Sequence, residues 1–107
     1  MELSTQSFIN QIAPGAQTAM KQHGILASLT IAQAALESGW GGHTYGANNL
    51  FGIKANGWPG RTVLISTREQ AADGSYYTIK ALFRAYDSWA QSVDDHALFL
   101  VKKPPLQ

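Results

Sequence analysis

The sequence predicts an α+β domain in which helices at both ends of the chain flank a small antiparallel sheet. Apolar residues recur at helical spacing up to residue 38 and again after residue 88. Between residues 50 and 84, short runs of alternating, β-branched and aromatic residues are separated by turn signals that contain glycine and proline. The chain has 107 residues, 45% of them hydrophobic and 14% charged, so residues 1–107 are expected to form a single domain around one core.

Two short helices in series are predicted for the first 24 residues. Ser4 or Thr5 can cap the first helix, whose apolar positions follow the helical spacing. Pro14 lacks a backbone N–H, so it is expected to end this helix and to lie in the first turn of the second. Gly24 belongs to the residue type favoured just past a helix end and is expected to stop the second helix.

Residues 25–38 are predicted to form a central helix that ends at Gly39. Apolar side chains recur at i, i+4, i+7 and i+11, and alanines fill much of the remaining circumference. The helix is therefore expected to be closely packed on several sides. Its predicted buried stripe consists of Ile25, Leu29, Ala32 and Leu36.

Three strands are predicted after this helix, at residues 50–54, 61–67 and 76–84. Asp73-Gly74 lies between the second and third runs and is a favoured sequence for a hairpin turn. A small antiparallel sheet follows from this spacing.

A last amphipathic helix is predicted after Ser88, which forms a capping box with Gln91. This helix is expected to end before Pro104-Pro105. Asp94 and Asp95 fall off its apolar stripe and are expected to face solvent. The stripe consists of Trp89, Val93, Ala97 and Leu100.

Composition and charge exclude several classes of function. Eight Lys and Arg against seven Asp and Glu give a net charge of +1 without a basic stripe, so no nucleic-acid partner is expected. The longest mostly apolar stretch, residues 25–36, is too short and too polar to cross a bilayer, and the N-terminus lacks the pattern of a signal peptide. There is no cysteine and the three histidines are widely spaced, so neither a metal nor another cofactor is expected.

Seven carboxylates are the candidates for acid–base chemistry. Five have local explanations in a chain terminus, a turn or the last helix: Glu2, Asp73, Asp87, Asp94 and Asp95. Glu37 and Glu69 remain.

Glu37 is the only formally charged residue between Lys21 and Lys54, and it lies in the last turn of the most apolar predicted helix. The negative end of the helix dipole and burial in an apolar cleft would both disfavour its ionised form, which is the profile of a general acid. The alternative is an exposed glutamate at a helix end. Nearby, Trp40 and Tyr45 offer flat faces that suit sugar rings or, alternatively, the core.

Four sequence blocks occur in order: ASLTIAQAALESGWG at 27–41, NNLFGIK at 48–54, FRAYDSW at 83–89, and Asp95-His96. Together they resemble the bacterial endo-β-N-acetylglucosaminidases of glycoside hydrolase family 73 over about residues 8–100. The resemblance implies a lysozyme-like fold with a mainly helical lobe and a small antiparallel β-lobe. It also implies hydrolysis of the β-1,4 bond after N-acetylglucosamine in the glycan strand of peptidoglycan.

Position by position, Glu37 matches the catalytic acid of the family, and Glu69, just before the predicted hairpin turn, matches its second acidic residue. The alternative for Glu69 is a solvated residue at a strand end. Glu69 could direct a water, which gives inversion, or the 2-acetamido group of the substrate could take the part of the nucleophile. Residues expected to bind substrate are Trp40, Tyr45, Asn49, Phe51 and Tyr77, with fold maintenance as the alternative for Asn49 and Phe51.

The resemblance is incomplete at the C-terminal end. Family members continue to a Tyr-Ala-Thr-Asp-Pro segment and a closing helix, whereas this sequence stops at Gln107. We therefore expect the C-terminal part of the family domain to be missing, its apolar contact surface to be exposed and turnover to be weak. Self-association, or cover by residues 104–106, is expected to hide that surface.

Two other functions remain as alternatives. A lytic transglycosylase uses a lone glutamate at the end of a similar helix, but the blocks at 48–54 and 83–89 argue against it. A non-catalytic cell-wall module would bind the glycan strand without releasing new reducing ends. In each case the partner is peptidoglycan, and the protein is expected to be secreted, periplasmic or associated with the cell wall.

Overall fold

The computed structural model describes residues 4–102 and, within that range, contains three helices and one two-stranded antiparallel sheet. The elements are α1 (Thr5–His23), α2 (Ala27–Ser38), β1 (Thr62–Gln70), β2 (Tyr76–Arg84) and α3 (Trp89–Lys102). This order confirms the predicted α+β class. No helix in the described part of the chain is both long and apolar enough to cross a membrane. The expected cover by residues 104–106 lies outside the described residues.

Helix α1 is continuous through Pro14, so the prediction of two short helices is wrong. Ser4 caps it, because its Oγ accepts a hydrogen bond from the Ser7 N–H at 3.0 Å. Gly24 ends it in the left-handed conformation, with φ of 77°. The missing N–H of Pro14 is tolerated because tertiary packing of one continuous face holds the helix in place. That face consists of Phe8, Ile12, Ala16 and Ala19.

Helix α2 buries a different face from the one predicted. Leu29 and Leu36 of the predicted stripe are 52% and 81% exposed, so that prediction is wrong. The helix turns small side chains toward α1 instead, because small residues at a helix contact allow the two axes to approach closely. The buried residues are Thr30, Ala34, Ala35 and Ser38.

The core forms where α1 packs against α2 and α3. Ser88 begins α3 as predicted, since its Oγ accepts the Gln91 N–H at 3.1 Å. The connection after α2 inserts Leu50 and Phe51 into the core, which ties this connection to the helices. The buried cluster consists of Phe8, Ile12, Ala19, Ala34, Ala35, Leu50, Phe51, Val93 and Ala97.

Strands β1 and β2 form an antiparallel hairpin in which residues 62–70 pair with residues 84–76. Asp73-Gly74 makes the turn as predicted: Gly74 has φ of 90°, and the Asp73 carboxylate accepts the Ser75 N–H at 2.9 Å. Strand β1 extends to residue 70, three residues further than predicted, and so includes Glu69. Alternate residues are less exposed and share one face of the hairpin: Val63, Ile65, Thr67 and Glu69.

The predicted strand at residues 50–54 does not form, since within it only Lys54 pairs, in a single bridge with Phe83. The side chain of Asn49 makes hydrogen bonds that strand pairing would otherwise provide. Its Nδ2 donates to the carbonyl oxygens of Ile53 and Arg84, both at 2.9 Å, and its Oδ1 accepts the Ile53 N–H at 3.1 Å. Because the side-chain amide satisfies these backbone groups, the segment folds as a turn around Asn49.

Candidate active site

Glu37 is held at the C-terminal end of α2 by the hydrogen bonds of its neighbour Ser38. Ser38 Oγ donates to the carbonyl oxygen of Ala34 at 2.6 Å and accepts the Gly41 N–H at 2.9 Å, so it links the last helical turn to the loop that follows. Gly41 passes close to Trp89: a Cβ at Gly41 would lie 2.7 Å from the indole ring. The sequence around Glu37 therefore fixes where the helix ends.

A cavity of about 290 Å³ opens beside Glu37. Its wall is mainly apolar and comes from α2, the connection around Asn49, and α3. Glu37 itself is exposed, so the burial in an apolar cleft that the sequence predicted is not formed by the described residues. The other lining residues are Gln33, Phe51, Ile53, His96, Phe99 and Leu100.

A larger cavity, of about 720 Å³, shares Phe99 with this one and extends from Trp58 to Lys102. Neither Glu37 nor Glu69 lines it. Its carboxylates, Asp94 and Asp95, are paired with His23 and Arg84, whereas Glu37 has no ion-pair partner among residues 4–102. Because an acid–base site requires a carboxylate with no structural task, we assign the candidate site to the smaller cavity.

Tyr45 lies within electrostatic range of Glu37. Burial, and then the negative charge of Glu37, raise the pKa of the Tyr45 phenol above its ordinary value. The ring stacks on Phe83 of β2, with centroids 4.8 Å apart and planes 20° apart. A Cβ at Gly52 would come within 3.0 Å of the Tyr45 hydroxyl, so the glycine gives this ring its place. Tyr45 thus joins the helical lobe to the hairpin as a neutral phenol.

Glu69 lies on the same hairpin face as Phe83, because Glu69 pairs with Tyr77 and Phe83 pairs with Val63 in the register. Its Oε1 is 3.6 Å from Nζ of Lys54. Lys54 directly follows Ile53, which lines the Glu37 cavity. The ion pair therefore links the Glu69 end of the hairpin to the segment that forms the cavity wall.

The aromatic residues predicted to bind substrate differ in exposure. Trp40 is 43% exposed and meets Phe8 edge-on, with centroids 5.7 Å apart. Tyr77 is 49% exposed, directly across the hairpin from Glu69. Phe51 is buried and forms part of the cavity wall. Trp40 and Tyr77 thus keep surface that a sugar could reach.

Asn49 has no exposed surface, and its amide is engaged with backbone groups on both sides. This burial and these hydrogen bonds to Ile53 and Arg84 favour the alternative of fold maintenance, and contact between Asn49 and a substrate stays a prediction. Asn49 shapes the cavity wall through Ile53.

Asp95 does not face solvent, which corrects the prediction made from the helical stripe. It is 13% exposed, and its Oδ2 accepts hydrogen bonds from Arg84 Nη1 at 2.9 Å and from Tyr86 Oη at 2.6 Å. Burial, the hydrogen bond to Asp95 and the charge of Asp95 raise the pKa of Tyr86, with Arg84 acting in the opposite direction. Arg84 at the end of β2 and Tyr86, two residues after it, thus both contact α3. Asp94 is half-exposed, with its Oδ1 3.0 Å from His23 Nε2.

The arrangement suits proton transfer by carboxyl groups. Across residues 4–102, no three His, Asp or Glu side chains lie close enough together to hold a metal ion. Glu37 lines a cavity that has apolar side chains in its wall. Trp40, three residues after Glu37, and Tyr77 on the hairpin keep exposed rings. Glu69 supplies a second carboxylate from the hairpin. Enzymes that cleave glycosidic bonds commonly use two carboxyl groups for catalysis and aromatic rings to bind the sugar.

A sequence model of the family described as "Mannosyl-glycoprotein endo-beta-N-acetylglucosaminidase" matches residues 13–107. Exo-glucosaminidase LytG of Bacillus subtilis is 41% identical over 99 residues, which are 91% of this chain and 34% of that protein. Peptidoglycan hydrolase FlgJ of Vibrio parahaemolyticus is 39% identical over 107 residues, which are 94% of this chain and 34% of that protein. The chain thus spans about a third of the length of these curated relatives.

Solved structures agree in fold as well as in sequence. The catalytic domain of the autolysin Auto from Listeria monocytogenes superposes with a TM-score of 0.83 at 38% identity, covering 94% of this chain and 58% of that chain. A C-terminally truncated glycoside hydrolase domain of FlgJ from Salmonella typhimurium gives a TM-score of 0.78 at 33% identity, covering 94% of this chain and 71% of that chain. Both likenesses extend over nearly all of this chain.

Proposed function

The chain belongs to the mannosyl-glycoprotein endo-beta-N-acetylglucosaminidase family, and on this premise we propose that it is a peptidoglycan hydrolase that cleaves the β-1,4 bond after N-acetylglucosamine. The observation that carries the proposal is Glu37, a carboxyl group at the end of α2 beside a cavity whose wall combines apolar side chains with Gln33 and His96. Relatives named as glucosaminidase and peptidoglycan hydrolase support the substrate class. A hydrolase of this substrate acts outside the cytoplasm, in the periplasm or at the cell wall.

Glu37 is the general acid in this proposal. Cleavage of a glycosidic bond requires a proton on the leaving oxygen while positive charge develops at the sugar carbon. The Glu37 carboxyl group gives its proton to that oxygen. Binding of the sugar over the cavity excludes water from the bond that is cleaved.

Glu69 is the second carboxylate. It belongs to the hairpin, and its ion pair with Lys54 ties it to the segment that lines the Glu37 cavity. In the proposed reaction Glu69 takes a proton from a water that attacks the sugar carbon on the face opposite the leaving group. The product then has inverted configuration at that carbon.

Aromatic surfaces hold the glycan between the two lobes. Trp40 and Tyr77 keep exposed ring surface, and Tyr45 supplies a neutral hydroxyl beside Glu37. Stacking of apolar sugar faces on such rings gives orientation without charge. In this proposal the glycan strand lies against these rings, with the bond to be cut near Glu37.

Release of reducing ends from purified peptidoglycan tests the proposal. Replacing the acid with an amide of the same shape, Glu37→Gln, is expected to lower turnover by roughly 10² to 10⁴, because general acid catalysis supplies that much. Glu69→Gln is expected to lower turnover as well, while the thermal midpoint of both variants stays near that of the parent because both side chains are partly or fully exposed.

Asp73→Asn is the matched control for these two variants. It removes a carboxylate from the hairpin but keeps a favoured turn sequence, so activity and stability are expected to match those of the parent. If Glu37→Gln keeps more than about a tenth of the parental turnover, Glu37 is not the acid. Mass spectrometry of the products adds a second check, since products with a 1,6-anhydro end would point to a transglycosylase.

A further inference from the structure

His96 is a polar side chain in the Glu37 cavity that the proposed acid–base chemistry does not use. It lies on α3, is 5% exposed and lines the cavity together with Glu37. Its ring stacks on Phe51 with centroids 3.7 Å apart and planes 7° apart. The stack fixes the plane of the imidazole and covers one of its two faces.

The two ring nitrogens of His96 have different surroundings. Nδ1 is buried and has no hydrogen-bond partner among residues 4–102. A proton on Nδ1 would be a buried donor without an acceptor, which costs free energy, so we expect the neutral tautomer with its proton on Nε2. Because Nδ1 is buried, Nε2 is the nitrogen through which the ring can meet a ligand.

The surroundings also keep His96 uncharged. Burial lowers the pKa of His96, and the negative charge of the adjacent Asp95 acts in the opposite direction. The other titratable group in the cavity is Glu37, at the opening. A neutral ring with one available N–H is a hydrogen-bond donor for an uncharged acceptor.

We propose that His96 is a substrate-binding residue whose Nε2–H donates a hydrogen bond to an acceptor oxygen of the sugar held in the Glu37 cavity. The inference rests on the proposed function, since it takes the ligand to be an N-acetylated glycan. Phe51, Ile53 and Phe99 offer only apolar surface to a ring that carries hydroxyl and N-acetyl oxygens. These oxygens therefore depend on the few polar side chains of the cavity, which are Gln33, Glu37 and His96.

Binding is measured separately from catalysis, in a Glu37→Gln background, by titration with a tetramer of β-1,4-linked N-acetylglucosamine. His96→Phe keeps a ring to stack on Phe51 and removes the donor, so the dissociation constant is expected to rise roughly tenfold. His96→Gln keeps an N–H near the position of Nε2 and is expected to bind within about threefold of the His96 protein. In the enzyme with Glu37 intact, His96→Phe is expected to raise KM more than it lowers kcat.

If His96 binds substrate, His96→Phe weakens binding without lowering stability: the variant removes a buried nitrogen without a partner, so its thermal midpoint is expected to equal or exceed that of the parent. If His96 only packs against its neighbours, the variant is expected to lower the thermal midpoint and leave the dissociation constant unchanged. His23→Gln is the matched control, because His23 pairs with Asp94 and does not line the cavity. Its dissociation constant for the tetramer is expected to be unchanged.

Nitrogen-15 NMR of the parent gives a readout that needs no His96 variant. The imidazole of His96 is expected to report a proton on Nε2, and addition of the tetramer is expected to shift that signal. An unshifted signal under saturating tetramer, or equal dissociation constants for His96→Phe and the parent, would overturn the inference while the proposed function stands. If the parent neither binds the tetramer nor hydrolyses peptidoglycan, the proposed function fails and takes this inference with it.

Discussion

Asp95 joins α3 to the end of β2 through Arg84 and Tyr86. Both members of the ion pair are 13% exposed, and the Arg84 guanidinium also lies over the Trp58 ring, 4.6 Å from its centroid. Little water can reach this pair. Removing one member is therefore expected to lower the stability of the fold strongly, because the other charge is left buried without a partner.

Asp95→Asn is expected to lower the free energy of unfolding by about 3 kcal/mol, because the Arg84 charge stays buried without a carboxylate. Urea unfolding followed by circular dichroism measures the change. The control is Asp87→Asn, which breaks the exposed Arg61–Asp87 pair and should cost less than about 1 kcal/mol. If both variants lowered the free energy of unfolding equally, the larger effect expected for the buried ion pair would be contradicted.

His96 should also make stability depend on pH. Its pKa is lowered in the folded protein, chiefly by burial, so below the ordinary value of about 6.5 the unfolded chain binds a proton that the folded chain does not. The free energy of unfolding should therefore fall as the pH drops from 7 to 5, by up to about 1.4 kcal/mol per pH unit from this group. His96→Phe should lose that part of the slope, and parallel slopes in both proteins would contradict the argument.

Helix α1 carries a proline in its interior, where the missing N–H leaves one carbonyl without its helical partner. Pro14→Ala restores that bond and is expected to raise the free energy of unfolding by about 1 to 3 kcal/mol. If Pro14 instead began a second helix, alanine there would bring little gain. Chemical denaturation distinguishes the two, with Pro59→Ala in the exposed loop before β1 as the control that should bring no gain.

On the surface formed by residues 4–102, α2 carries an apolar face that no other described element covers. Leu29 and Leu36 are 52% and 81% exposed, one above the other two turns apart. We expect the chain to self-associate through this face as its concentration rises, and Leu36→Lys to reduce that association with a stability change within about 0.5 kcal/mol. Sedimentation velocity measures the self-association, and Leu82→Lys on the hairpin is the control. Equal association of the two variants would show that α2 does not form the contact.

The features that depend on neighbouring residues were predictable from the sequence. Ser4 and Ser88 begin helices, Gly24 and Gly39 end them, and Asp73-Gly74 makes the hairpin turn, because each satisfies backbone groups or adopts a φ value within a few residues of itself. Glu37 was singled out as the only formally charged residue between Lys21 and Lys54, and its catalytic role stays a prediction. These conclusions required no knowledge of distant parts of the chain.

The features for which the sequence prediction was wrong depend on partners far along the chain. Pro14 stays inside a helix because a whole face of α1 is buried, and α2 exposes its leucines because its small residues meet α1. Asn49 replaces the predicted strand by bonding to Arg84, 35 residues away, and Asp95 is buried by its bonds to Arg84 and Tyr86. The free energy gained by burying a whole apolar face is larger than the free-energy differences that set local conformational preferences. Which face is buried, and hence which polar groups line the cavity, is therefore decided only when the elements pack together.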